Sequence, residues 1–110
     1  MDKDKIIEIV KRYIGAIGSK YKIEKVFLFG SYAKGTNTAD SDIDLAIIFN
    51  SVDDIIDMQI ELMKMRTEDD LLIEPHPFRL TDFKISNPMV SEILKNGIEF
   101  NKYAAEAELH

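Results

Sequence analysis

Cysteine is absent from the 110 residues. That absence excludes disulfides, thiolate metal sites and a cysteine nucleophile, and removes any need for an oxidising compartment. No apolar run approaches the length of a membrane span, and the start "MDKDKIIEIV" lacks the basic region and cleavage site of a signal peptide. A soluble, cytoplasmic protein with no membrane partner is therefore expected. Positive charge is also scarce: 14 Lys and Arg face 20 Asp and Glu, a formal net charge of −6. Gripping duplex nucleic acid depends on cations neutralising phosphates, so a duplex is not an expected partner. A polyphosphate could still bind an acidic site if divalent metal screened the repulsion.

What is present is ordinary globular composition, 45% hydrophobic and 31% charged, at a length that suits one domain. Residues 1–103 are read as that domain, and 104–110 as a frayed or cloning-derived tail with little to bury. Ile6, Ile9, Val10, Tyr13 and Ile17 recur at helical spacing, with Gly18 as a stop. "KVFLFG" is wholly apolar and reads as a central strand buried on both faces. Residues 31–35 can start a short helix, "GTNTADSD" is a turn-rich loop, and "IDLAIIFN" is a second strand.

Ser51 is the expected cap of the next helix, with Asp53 and Asp54 in its first turn and Ile56, Ile60 and Met63 as its buried stripe. Met58, Met63 and Met65 read as core or interface filler. "DLLIEPHPF" is a third strand, stopped by Pro75 and Pro77. Asn87, Pro88 and Gly97 supply cap, first turn and stop for a last helix over "MVSEILKN". The order α-β-α-β-α-β-α predicts an α/β (α+β) domain: a small mixed sheet of about three or more strands flanked by helices. The direction of the third strand is left open.

Asp42 and Asp44 stand as Asp-x-Asp at the head of the second strand, where side-chain alternation puts both on one side. Two unpaired carboxylates there repel each other, a cost that packing does not explain. Oxygen donors of this kind suit Mg²⁺, which takes one or two carboxylates plus phosphates and water. Gly30 and Ser31 form a turn from strand into helix that aims free backbone N–H groups at a phosphate, and Lys34 is one turn on.

"GSYAKGTNTADSDIDL" is thus Gly-Ser, ten intervening residues and Asp-x-Asp. It resembles the signature of the polymerase-beta-like nucleotidyltransferase superfamily, and the chain looks like its minimal single-domain members. Those members often serve as antitoxins beside a HEPN-domain ribonuclease. The resemblance implies a nucleotidyltransferase fold, with Gly30, Ser31 and Lys34 at the nucleoside triphosphate. It also implies Asp42, Asp44 and a third carboxylate, assigned to Glu74, on two Mg²⁺ ions. Glu74 would also accept the proton of the attacking hydroxyl. The implied reaction carries AMP from ATP onto a hydroxyl, such as a tyrosine of a HEPN-type partner.

Blander roles stand beside these. Asp42 and Asp44 could be a solvated strand start, Gly30 and Ser31 a turn and cap, Glu74 an exposed strand-end acid and Lys34 a surface cation. Asp40 reads as a loop acid. His76 shares the face parity of Glu74 and could line the site, or be a surface or packing residue between two prolines. Two other functions compete with the transferase: a binding module that neutralises a partner by complex formation, and a small-molecule (antibiotic-type) nucleotidyltransferase. The last would need a homodimer to supply the missing wall.

Overall fold

The structure, a computed structural model, describes residues 3–100; the anticipated tail and the last residues of the anticipated domain lie outside them. Helix α1 (Lys3–Gly18) leads into β1 (Ile23–Phe29), the single turn α2 (Ser31–Lys34) and β2 (Ile43–Phe49). Helix α3 (Ile55–Lys64), β3 (Ile73–Arg79), α4 (Pro88–Asn96) and β4 (Ile98–Phe100) follow, with short 3₁₀ turns on either side of β3. The strands form one sheet in the order β3-β2-β1-β4. Both β2 and β4 run antiparallel to β1, while β3 runs parallel to β2. The helical crossover through α3 supplies the long connection that a parallel pair requires.

The apolar character of β1 has its expected consequence. Val26 and Leu28 enter a core with α1, β2 and β3, whereas Phe27 and Phe29 join Ala46, Ile48 and Ile93 on the opposite face. In that first core Ile43, Leu45 and Ile47 are fully buried, each contributing about 1.5–3 kcal/mol of transfer free energy. The α1 stripe of Ile6, Ile9, Val10, Tyr13 and Ile17 is buried in the same core.

Four expectations change. A fourth strand, β4, extends the anticipated order; its three residues are too few and too exposed to show an alternation. Pro75 and Pro77 do not stop β3, which runs through both. Because β3 is an edge strand, their missing N–H groups need not cost ladder bonds. The outer side is used in part by α3, whose Gln59 Nε2 donates to the Pro75 carbonyl at 3.2 Å.

Helix α3 is capped by Asp54 rather than Ser51, the Asp54 carboxylate accepting the Asp57 N–H at 3.0 Å. Both side chains are competent caps, and the extended backbone at Asp54 decides where the helix begins. The stripe on α3 is also a different one. Ile56, Ile60 and Met63 are 69%, 46% and 41% exposed, while Leu62 is buried and Met58 and Met65 pack beside it. The helix carries two apolar rows, and the row reached by α1 and the sheet is the one that becomes core.

Tyr13 fixes that choice. Its hydroxyl donates to the Leu62 carbonyl at 2.5 Å. Burial pushes the phenol far above its ordinary pKa, opposed by Arg66 and assisted by Asp70, so the group stays protonated and a donor. Tyr13→Phe is expected to lower unfolding free energy by about 1–2 kcal/mol. Urea denaturation reads the effect directly, and an unchanged midpoint would mean that the bond adds nothing net.

Candidate functional site

One end of the sheet gathers three titratable side chains. Phe29, the last residue of β1, pairs with Asp44 of β2, and Asp44 pairs in turn with Glu74 of β3. These three neighbours and His76, two residues beyond Glu74, share the sheet face opposite the α1 core. Donor atoms of Asp44, Glu74 and His76 all lie within 4.8 Å of one another. Glu74 is exposed, and the Asp44 and His76 side chains remain partly accessible, so the group opens to solvent.

Each member is positioned by its surroundings. Asp44 abuts Gly30, whose φ of 75° and ψ of −150° belong to a region essentially reserved for glycine. A Cβ at Gly30 would collide with Asp44 Oδ2. The glycine therefore performs two tasks, bending the chain out of β1 and leaving room for a carboxylate. His76 Nε2 lies 3.2 Å from Asp44 Oδ1, and its ring meets Phe29 edge-on with centroids 5.1 Å apart. Phe29 thus limits the tilt of the imidazole while Asp44 fixes the direction of its Nε2.

Ser31 opens α2, directly beside this corner. With four residues α2 has little macrodipole, so any phosphate seat there rests on individual backbone N–H groups. Lys34, the last residue of that turn, pairs with Glu92 of α4 at 2.6 Å. The hydrogen bond from Lys34 holds the half-buried Glu92 carboxyl below its ordinary pKa. A phosphate recruiting Lys34 would have to compete with that partner.

Asp42 precedes β2 by one residue and is exposed. The β2–β3 ladder begins at Ile43↔Ile73, so Asp42 lies beyond its end and is not in the cluster with Asp44, Glu74 and His76. Asp40 sits in an exposed turn. His76 therefore joins the group from a position whose signal was its alternation with Glu74, while Pro75 and Pro77 turn to the buried opposite face.

The donor set fits a divalent cation. Two carboxylates on neighbouring strands supply hard oxygen ligands, and an adjacent imidazole supplies a nitrogen. Among the described residues no helix is long and apolar enough to cross a membrane.

Comparison with known proteins bears on the family and the fold. The sequence profile of the family described as "Polymerase beta, Nucleotidyltransferase" matches residues 4–103. Two Methanocaldococcus jannaschii proteins that carry the name protein adenylyltransferase are similar. One is 42% identical over 57 residues, covering 49% of this chain and 57% of that protein. The other is 31% identical over 100 residues, covering 86% of this chain and 97% of that protein. The chain thus spans little more than half of the first relative but nearly all of the second.

A Sulfolobus solfataricus structure named as a nucleotidyltransferase superposes with a TM-score of 0.65 at 18% identity, covering 88% of this chain and 83% of that one. A chain from a mutant of the toxin–antitoxin MntA-HpeT gives 0.55 at 23% identity, covering 92% and 72%. At such identities these two structures speak for the fold. Taken with the profile match across nearly the whole length, they lead to one conclusion: this chain belongs to the polymerase beta nucleotidyltransferase family.

Proposed function

We propose that the protein is a Mg²⁺-dependent adenylyltransferase that moves AMP from ATP onto a protein hydroxyl, a tyrosine of a HEPN-type toxin, and acts as that toxin's antitoxin. The observation that carries the reading is the meeting of Asp44 and Glu74 beside the Gly30–Ser31 turn. The names of the relatives support protein adenylylation, and the toxin–antitoxin assemblies among the structural neighbours support a toxin partner. One of those assemblies was solved with AMP-PNP, which is in keeping with ATP as donor.

In this reading Gly30 and Ser31 present backbone N–H groups and a hydroxyl to the triphosphate, and Lys34 exchanges Glu92 for a phosphate oxygen. Asp44 and Glu74, with Asp42 at the rim, would hold the metal, which when bound screens the phosphates and polarises the α-phosphoryl group. Glu74 takes the proton of the incoming hydroxyl. A bond forms between that oxygen and the α-phosphorus, the bond to the β-phosphate oxygen breaks, and pyrophosphate departs.

The test incubates the purified protein with Mg²⁺ and α-³²P-labelled ATP in a lysate of its source cells. Asp42→Asn, Asp44→Asn and the double variant run beside it. A band labelled by wild type and absent with the double variant is expected, its mass identifying the acceptor. Equal labelling by both would sink the mechanism.

A second reading, a binding module that neutralises a partner by association, is favoured by the exposed Ile56, Ile60 and Met63 row on α3. It predicts no labelling with any triphosphate and full suppression of the partner by the double variant.

A further inference from the structure

We propose that His76 is a nitrogen ligand of the metal centre, and that the centre consequently favours first-row transition ions such as Mn²⁺ over Mg²⁺ more than an all-carboxylate site would. The inference rests on the metal-dependent reading above and adds a ligand and a selectivity to it.

The geometry is that of ligands around one ion. With bonds of roughly 2.1 Å, adjacent ligands of an octahedral ion lie about 3.0 Å apart and opposite ones about 4.2 Å. His76 Nε2 and Asp44 Oδ1 are 3.2 Å apart, the spacing of adjacent ligands. A Glu74 carboxylate oxygen lies within 4.8 Å of both, close enough to complete a face by a small side-chain rotation. The three donors come from two strands in register, which leaves little freedom in their separation.

The surroundings agree. Phe29 holds the imidazole edge-on, so the atom directed at Asp44 is Nε2, and the site remains partly open for substrate oxygens and water. Apart from Phe29, the groups that face this histidine are two carboxylates. Without an ion, the Nε2–H tautomer of His76 donates to Asp44 Oδ1; a cation would take the Nε2 lone pair in its place, the imidazole proton being carried on Nδ1 instead. Imidazole binds transition ions better than it binds Mg²⁺, whose preference is for oxygen. A single nitrogen therefore moves selectivity without removing Mg²⁺ binding.

The experiment loads the whole protein with Mn²⁺ and reads it two ways. Electron spin-echo modulation reports a directly bound ¹⁴N, and the free-Mn²⁺ resonance gives affinity in the presence of increasing Mg²⁺. Wild type is expected to show the nitrogen coupling and His76→Gln to lack it. Because loss of an outer-shell partner alone costs 10–100-fold, the variant should bind Mn²⁺ about tenfold or more weakly. Less Mg²⁺ should then displace half of the remaining Mn²⁺. Mn²⁺ bound to wild type without nitrogen coupling overturns the inference and leaves the transferase reading standing. If wild type binds no Mn²⁺ or Mg²⁺ at all, with or without ATP, the metal-dependent reading itself fails.

Discussion

Gly30→Ala is expected to damage the fold and the site together, through one methyl group. The backbone at Gly30 lies where a side chain is strained, and the added Cβ runs into Asp44 Oδ2. Strain of about 1–3 kcal/mol and overpacking of similar size together set the expected loss of stability at roughly 2–6 kcal/mol. Asp44 must also leave its present position beside Gly30, which disturbs its spacing to Glu74 and His76, so Mn²⁺ affinity should fall with it.

Gly35→Ala is the matched control. Gly35 also has a positive φ, 76°, but an added Cβ there meets nothing within 4 Å. It should cost about 1 kcal/mol and leave metal affinity unchanged. Thermal melts and Mn²⁺ titrations of both variants decide the point. Equal effects would show that Asp44 moves aside freely and that Gly30 matters only as a turn.

Asp44→Asn should separate stability from activity. Its carboxylate lies beside Glu74 across the parallel ladder, where like charges repel, and the amide keeps an oxygen for His76. Folding stability should therefore change by less than about 0.5 kcal/mol or rise slightly. The AMP-transfer rate should fall roughly 10³-fold or more, since the neutral oxygen is a poor metal ligand and the metal's share of the electrostatic stabilisation is lost. Rate and urea midpoint are measured on one preparation. A variant that unfolds early would assign Asp44 a structural role, and one that transfers at the wild-type rate would remove it from the chemistry.

The contrast between the two experiments follows from where each residue obtains its constraint. Gly30 is constrained by its own backbone and by a neighbour's side chain, so its replacement is felt by the whole corner. Asp44 is constrained by the strand it sits on, and exchanging its charge leaves that strand intact.

Much of this was legible in the sequence. The burial of Ile6, Ile9, Val10, Tyr13 and Ile17 follows from 3.6-residue periodicity, and the double burial of β1 from its lack of any polar alternation. Asn87, Pro88 and Gly97 mark α4 at both ends because each solves a local backbone problem. The Gly-Ser and Asp-x-Asp spacing put the candidate residues at strand ends, since turn and strand geometry act over a few residues.

Other features required partners distant in the chain. Two apolar rows compete on α3, and only contact with Tyr13 and the sheet selects Leu62 over Ile60. Two prolines look like a stop until β3 is found at an edge, where their absent N–H groups go unmissed. The register of β2 against β3 sets Asp44 beside Glu74, brings in His76 and leaves Asp42 past the end of the ladder. The sequence by itself thus determined the four helices, three of the four strands and the two short motifs that flank the candidate site, because periodicity, capping and turn formation are local. Only the tertiary structure decided which acids meet and that a histidine joins them, because strand register and the choice between helix faces are settled by packing across the whole core.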